Sequence, residues 1–438
     1  MSTPTEKAYC FISGKNWKLS LAEITSYLDA RDSKFEVVDF SRSFFVIRTR
    51  VPLDPAVIDD LGGTLKIAEA AGFVPTEEVV KAFFEKDKEA KKQLKFEFPL
   101  DVLAEKMPRA ESGKAVFGVS VYWEDPTLRQ AARLAQRYLG SAMKDELKNQ
   151  GKKARFMGFP RDRKNPQLTP VEVLKQGLVD SHSEILLCIG TDRTAIGATV
   201  AAHNPFEFQK RDIEKPAQRK IFAIPPRLAK IMVNLTSCTP GKAFLDPFCG
   251  VGTILQEALL AKAKVIGLDI NRWCVEAAKR NLDWIRQEYS LRDADYTVLQ
   301  GDARDMMRKI HGGIDCIATE PDLGPALREV PTAPYAQKIV NDLKPLFEDF
   351  LSESHQVLRE RGYLAVVTPY IRVRSGKPVT MGLRRVAETI GFRAVNSFCE
   401  TAFVESATDF PLRDMTAFVD VDEHHKIGRE ISIFEKMS

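Results

Sequence analysis

Paired cysteines are missing from this sequence. The seven cysteines, at 10, 188, 238, 249, 274, 316 and 399, stand singly, with no C-x-x-C pair. That spacing argues against a thiolate zinc site and a disulfide framework, and leaves reduced, mostly buried thiols. Long apolar runs are missing too: nowhere do about 18 apolar residues follow one another, so no membrane span is expected. The start, MSTPTEKAYCFISG, has no basic stretch ahead of an apolar core, so neither a signal peptide is expected nor a location other than the cytoplasm. The six histidines show no metal-ligand spacing, and no metal is expected. A large charge imbalance is also absent, since a net +4 over 438 residues implies no nucleic acid by itself. What is present describes an ordinary globular chain, 44% apolar and 28% charged, too long for one core and expected to form two or three domains.

Periodicity divides the chain. From Lys7 to about Phe73 the pattern reads strand, helix, strand, helix, with AYCFISG, FEVVDF and SFFVIRT as strands and SLAEITSYLDA at helical spacing. Residues 76–97 are so charged that a solvated helix or insertion is expected there. A second α/β unit follows: the strand AVFGVSVYW, a helix over Leu128–Asn149, the strand KARFMGF, a capped helix in LTPVEVLKQGL and the strand SEILLCIG. Residues 206–222 fall in a polar, proline-bearing stretch that reads as a linker. Beyond it, short apolar strands alternate with helices through KAFLDP, KVIGLDI, YTVLQGD, GIDCIATEP and GYLAVVTPY, the pattern of a parallel sheet covered on both faces. The final stretch reads as a terminal hairpin.

The loop FLDPFCGVGT ends a strand on Asp246 and sets Gly250 and Gly252 before a helix that starts near Thr253. Ligands of open parallel sheets bind at such strand ends, where glycine admits close backbone approach. The dinucleotide form needs a third glycine, but Leu255 stands there, so a smaller nucleoside is the better candidate. Asp269 ends the next strand, 23 residues on, where an acid can take ribose hydroxyls, and Asp302 follows the third, within reach of an adenine amino group. Helix-capping aspartates are the alternative reading.

These residues, with IPPRLAKIMVNL ahead of them and SLAEI, GGTLKIAEA and EILLCIG in the first half, resemble the tRNA guanine-N2-methyltransferases that carry a THUMP domain, the group acting on guanosine 10. The resemblance implies an α/β chain with N-terminal ferredoxin-like (1–75) and THUMP (76–205, with 76–97 as an insertion) domains. A C-terminal Rossmann-fold, S-adenosylmethionine-dependent methyltransferase domain (223–438) would follow. It implies that Asp246 and the Gly250–Gly252 backbone face the methionine end of the cofactor, Asp269 the ribose and Asp302 the adenine, with Phe248, Thr253, Ile270 and Ala303 completing the contacts. Cys249 reads as a small packed residue, since transfer from a sulfonium to an amine needs no covalent intermediate.

The fourth strand of that family ends in an Asp or Asn, two prolines and an aromatic. Here Glu320-Pro321-Asp322-Leu323 takes the place. Acceptors on the two N–H bonds of a guanine amine favour its attacking, pyramidal form, and the aromatic stacks on a flipped base. Glu320 retains an acceptor on a longer stem and Pro321 the rigid turn, whereas Asp322 replaces a proline and Leu323 the aromatic. Three outcomes stay open: guanine-N2 transfer, methylation of a different base, or an RNA-binding protein with impaired catalysis.

Residues 129–164 carry eleven basic residues against three acids, and Arg129, Arg133 and Arg137 share a helix face. Arg133, Arg137, Lys152, Lys153, Arg155, Arg161, Arg163 and Lys164 are the candidate RNA contacts there, in or near the loop FMGFPRDRKNPQ, with tRNA as the implied partner. Arg372 and Arg374, after the fifth strand, are candidates to follow a phosphate backbone.

Overall fold

The structure is a computed structural model and describes residues 6–109, 114–158, 165–219, 223–291, 293–396, 415–422 and 424–437. Two units form, one dominated by Ser33–Phe206 and one by Glu207 onward. In chain order the first half contains β1 (Lys7–Ser13), α1 (Trp17–Asp29), β2 (Phe35–Phe40), β3 (Phe44–Thr49), β4 (Thr64–Pro75), α2 (Thr76–Phe83), α3 (Lys88–Glu97) and α4 (Leu100–Lys106). It continues through β5 (Ala115–Trp123), α5 (Arg129–Asn149), β6 (Ala154–Phe156), α6 (Pro170–Lys175), β7 (Glu184–Ile189) and β8 (Arg193–Ala202).

The strands make one eight-stranded sheet in the order β2-β3-β1-β4-β8-β7-β5-β6, antiparallel except for the β7–β5 and β5–β6 pairs. Two expectations change here. The second helix before Phe73 is the strand β4: its alanines and glutamate suit a helix in isolation, but pairing with β1 and β8 buries Lys66, Ile67 and Ala68. The β4–β8 ladder also runs one sheet through the segments read separately as 1–75 and 76–205.

Residues 76–97 form helices with a charged outer face, the first of the two expected forms, but their inner face is packed. Asp87 accepts from the amides of Glu89 and Ala90 to start α3, while Val79, Ala82, Phe83, Ala90 and Leu94 enter a core shared with Leu139 and Met143 of α5. The charges occupy the outer positions of two amphipathic helices and mask that period. The capped helix α6 forms as expected, with a reciprocal Thr169–Glu172 capping box.

Polar groups cross-link the middle of this sheet. The buried Lys66 ammonium on β4 pairs with Glu184 on β7 and donates to the Leu168 carbonyl at 3.0 Å. Ser120 on β5 and Thr199 on β8 donate to the same carboxylate, each at 2.6 Å. Four strands thus meet at one ion pair in which both carboxylate oxygens accept hydrogen bonds, and pairing with hydrogen bonds is the condition under which burial of charge is tolerated.

The second half contains α7 (Pro205–Ile213), α8 (Pro226–Leu235), β9 (Ala243–Asp246), α9 (Thr253–Leu260), β10 (Lys264–Asp269), α10 (Arg272–Glu288), β11 (Tyr296–Gln300), β12 (Ile314–Thr319) and α11 (Ala333–Val357). It ends with β13 (Leu358–Ile371), β14 (Val379–Thr380), α12 (Arg384–Ile390), β15 (Phe392–Ala394), β16 (Ala417–Asp420) and β17 (Ile427–Lys436). Its sheet runs β11-β10-β9-β12-β13-β17-β15; the first five strands are parallel, and β17 is antiparallel to its neighbours. The expected terminal hairpin is β16 paired with β17.

The expected linker, 206–222, is largely built into this unit where it is described. Arg211 of α7 is buried and donates to Glu257 of α9 at 2.6 Å, with Lys230 3.3 Å from the other carboxylate oxygen. Asn281 accepts from the Ala217 amide and donates to the Ala217 carbonyl, both at 2.8 Å. Among the described residues no helix is long and apolar enough to cross a membrane.

Lys66→Met should leave Glu184 buried without its cation and cost about 3–5 kcal/mol. A fall in the urea midpoint of the first unit, followed by circular dichroism, would check this; an unchanged midpoint would refute it.

Candidate active site

Sheet order places the candidate acids side by side. The chain steps from β9 to β10 and β11 on one side, then returns to β12 on the other, so direction reverses between β9 and β12. Ligand sites of open α/β sheets lie at that switch, outside the carboxyl ends of the strands. Asp246 ends β9, Asp269 ends β10, Asp302 follows β11 and Glu320 follows β12.

Asp246 is 1% exposed. Its Oδ1 accepts from the Thr319 hydroxyl at 2.6 Å and from the Phe248 amide at 3.1 Å. Burial pushes its carboxyl up to about 7, against the opposing pull of those two donors. Asp269 accepts from the Gly250 amide at 2.9 Å and the Asn271 amide at 2.8 Å, so one carboxylate pins the loop after β9 while Asn271 caps α10 through the Trp273 amide. Asp302 accepts from the Arg304 amide at 2.9 Å and pairs with its guanidinium at 2.6 Å; that bond first of all holds its carboxyl below the usual value.

The loop needs its glycines. Gly252, at φ +85°, caps α9 with its Cα facing Ala278, where a Cβ would sit 3.2 Å from the alanine methyl. At Gly250, φ +51°, an added Cβ would meet no protein atom within 4 Å, so this face of the loop opens outward. Asn281 supports the loop from below by donating to the Val251 carbonyl at 2.8 Å. Phe248 packs edge-on against Phe350 with ring centroids 5.3 Å apart, and Thr253 is buried with its hydroxyl accepting from Lys215 at 3.1 Å. Ala303 is buried, whereas Ile270 is 64% exposed at the rim beside Asp269. Burial pushes the Cys249 thiol well up, which suits a packed residue and not a nucleophile.

Glu320 has a partner that periodicity could not reveal. Arg429 of β17 pairs with it through Nε and through Nη2, the latter at 3.3 Å, and both side chains are largely buried. Burial opposes charge on Arg429, but the bond and attraction of Glu320 outweigh it and raise the guanidinium. Pro321 is buried, Asp322 exposed with its carboxylate accepting from the Gly324 amide at 2.9 Å, and Leu323 half-buried.

The basic candidates separate. Arg137, Lys153 and Arg155 are exposed and Arg133 half-buried, while Arg161, Arg163 and Lys164 lie outside the described residues. Lys152 is engaged within the chain: its ammonium donates to the carbonyls of Ala104, Glu105 and Met107 at 2.6, 3.3 and 2.7 Å, closing the C-terminal end of α4. Arg374 donates to Glu329 at 2.8 Å and to the Val330 carbonyl at 2.9 Å, and Arg372 is exposed beside it.

A Rossmann-type domain with an acid at each of four adjacent strand ends and a glycine loop at the switch point has the form of a nucleoside-cofactor transferase. Residues 215–374 match the family described as RMKL-like, methyltransferase domain. The tRNA (guanine(10)-N2)-dimethyltransferase of Methanothermobacter thermautotrophicus is 33% identical over 159 residues, 36% of this chain and 42% of the relative. The enzyme of the same name from Pyrococcus abyssi is 34% identical over 204 residues, 46% of this chain and 53% of the relative. The chain spans about half the length of the curated relatives it matches. The crystal structure of TrmN from Thermus thermophilus shares the fold, with TM-score 0.51 and 16% identity over 99% of this chain and 100% of that one.

Arg429→Met should leave Glu320 partly buried without its cation and cost about 3 kcal/mol. Chemical denaturation of the variant would check it; a cost under about 0.5 kcal/mol, the level of an exposed pair, would contradict the burial of this bond.

Proposed function

We propose that this chain transfers a methyl group from S-adenosylmethionine to the exocyclic N2 amine of a guanosine in tRNA. The observation that carries the reading is the row of carboxylates on one sheet edge, Asp246, Asp269 and Asp302 beside Glu320, within the stretch that matches a methyltransferase domain.

The residues fit the cofactor chemically. The open face at Gly250 and the adjacent Asp246 suit an amino-acid end that carries an ammonium, Asp269 suits a pair of ribose hydroxyls, and exposed Ile270 offers an apolar surface to a purine. When bound, S-adenosylmethionine supplies an electrophilic methyl on a sulfonium. The chain's task is then to position the amine. Glu320, held by Arg429, accepts an amine N–H, which draws the nitrogen lone pair out of the ring's conjugation and toward the methyl carbon. Glu320 or solvent would take the proton that the nitrogen sheds. The exposed basic residues Arg137, Lys153 and Arg155 of the first unit support an electrostatic, sequence-independent grip on RNA, the role read for a THUMP domain. Such an enzyme would work in the cytoplasm on its tRNA.

Incubation with labelled S-adenosylmethionine and unmodified tRNA should give N2-methylguanosine by nucleoside mass analysis, and Glu320→Ala should lower the rate by about 100-fold or more, the scale of a lost preorganised contact. Tight tRNA and cofactor binding without any transfer would instead favour an RNA-binding role, and a different methylated nucleoside would move the target base.

The elevated Asp246 gives a pH signature. Its folded value, about 7, exceeds the ordinary 3.8, so ionisation costs folding stability as pH rises between those values. Ligand ammonium prefers the ionised form, so S-adenosylmethionine affinity should rise from about pH 6 to 8 and then level. Calorimetry on the chain and on Asp246→Asn would check it: the variant should bind more weakly and lose the slope.

A further inference from the structure

Beside the Glu320–Leu323 loop lies a cavity of about 410 Å³ whose lining includes Asp322, Gly324, Tyr335, Lys338, Ile339 and Asp342. Its volume is that of a small-molecule site, for which roughly 300–1,000 Å³ is usual. Tyr335, Lys338 and Asp342 recur at three- and four-residue spacing in α11, so one helix face presents a ring, an ammonium and a carboxylate. Tyr335 is 49% exposed, while Ile339 beneath is 5% exposed and anchored in an apolar cluster with Ala336 and Val340. Gly324, at φ +100°, lies so close to the helix that an added Cβ would sit 2.8 Å from Ile339, which locks the loop onto the α11 face. The loop that carries Glu320 therefore forms one wall of this cavity, and α11 the other.

We propose that this cavity receives the target base, with Tyr335 stacking on its ring in place of the aromatic that Leu323 does not supply, and Lys338 and the two carboxylates reading its edge. The inference deepens the guanosine reading and rests on it. A guanine edge offers N1–H and N2–H donors beside the O6 acceptor. Asp322 or Asp342 accepts from N1–H, which leaves the N2 amine to Glu320, and Lys338 donates to O6. Adenine offers an acceptor at N1 and a donor at N6, so the same lining meets it with mismatched polarity. Stacking needs only a ring face, which separates Tyr335 from the polar residues in a mutational test.

The test measures kcat/KM for methyl transfer by the full chain to an unmodified tRNA transcript, and S-adenosylmethionine affinity by calorimetry, for Tyr335→Ala, Tyr335→Phe and Lys338→Met. Tyr335→Ala should lose about tenfold or more while Tyr335→Phe stays within about twofold, because the ring carries the stack. Lys338→Met should lose activity on tRNA, and cofactor affinity should hold in all three. Tyr335→Ala at the unaltered chain's rate overturns the proposal and leaves the guanosine reading standing. Equal loss in the Phe variant, or loss of cofactor affinity, assigns Tyr335 to structural support and overturns it too. No transfer by the unaltered chain sinks the underlying reading, and this inference with it.

Discussion

The hydrogen bond from Thr319 to Asp246 holds the candidate active site together. It spans the switch point of the sheet, joining the end of β9 to the end of β12 at 2.6 Å. The two loops that leave those strands carry different tasks: one bears the glycine turn, the other Glu320. A hydroxyl–carboxylate bond in a site with Asp246 only 1% exposed is short and directional, and no water competes for it. The relative position of the two loops is therefore decided by the sheet beneath them, through a bond that neither loop makes on its own.

Electrostatics divides the four acids into distinct roles. Each is stabilised differently: Asp246 by a hydroxyl and an amide, Asp269 by two amides, Asp302 and Glu320 by arginines. Asp246 has no cation among these partners and is the most deeply buried, and burial displaces its carboxyl upward. A buried carboxylate with an elevated proton affinity gains most from an arriving cation. An ammonium and a sulfonium are such cations, and on the proposed reading the carboxyl edge is tuned to them. Glu320 is different. Arg429 already balances its charge, so on the proposed reading its service to a substrate would be directional hydrogen bonding with little net charge.

The first unit uses charge in a different way. Its sheet is stitched by Lys66 and Glu184, which bind four strands through a hydrogen-bonded polar cluster. Its helices α2 and α3 carry their charges outward over a core of Val79, Phe83 and Leu94. The same residue types thus serve as ladder cross-links inside and as a solvated face outside, and only burial tells them apart. Lys152 makes the point for the basic segment: it sits among plausible RNA contacts, yet its three donors close a helix end.

Much of the second unit was legible because its physics is local. Short apolar strands alternating with amphipathic helices imply a parallel sheet, and strand ends in such a sheet converge, so Asp246, Asp269 and Asp302 could be placed from spacing alone. Gly250 and Gly252 were legible because a positive φ leaves little choice of residue. The helix assigned before Phe73 failed where local preference lost to pairing, since β4 is stabilised by β1 and β8 rather than by its own residues. The linker failed because the partners of Arg211 and Ala217, Glu257 and Asn281, lie 46 and 64 residues away. Arg429 reaches Glu320 across 109 residues through an antiparallel strand that no periodicity places beside β12. The sequence by itself determined which residues end strands and which turns demand glycine, because those are contests among neighbours; tertiary structure alone decided which charges are paired, which are buried and which line the cavity beside Glu320, because those depend on strands and helices brought together from distant parts of the chain.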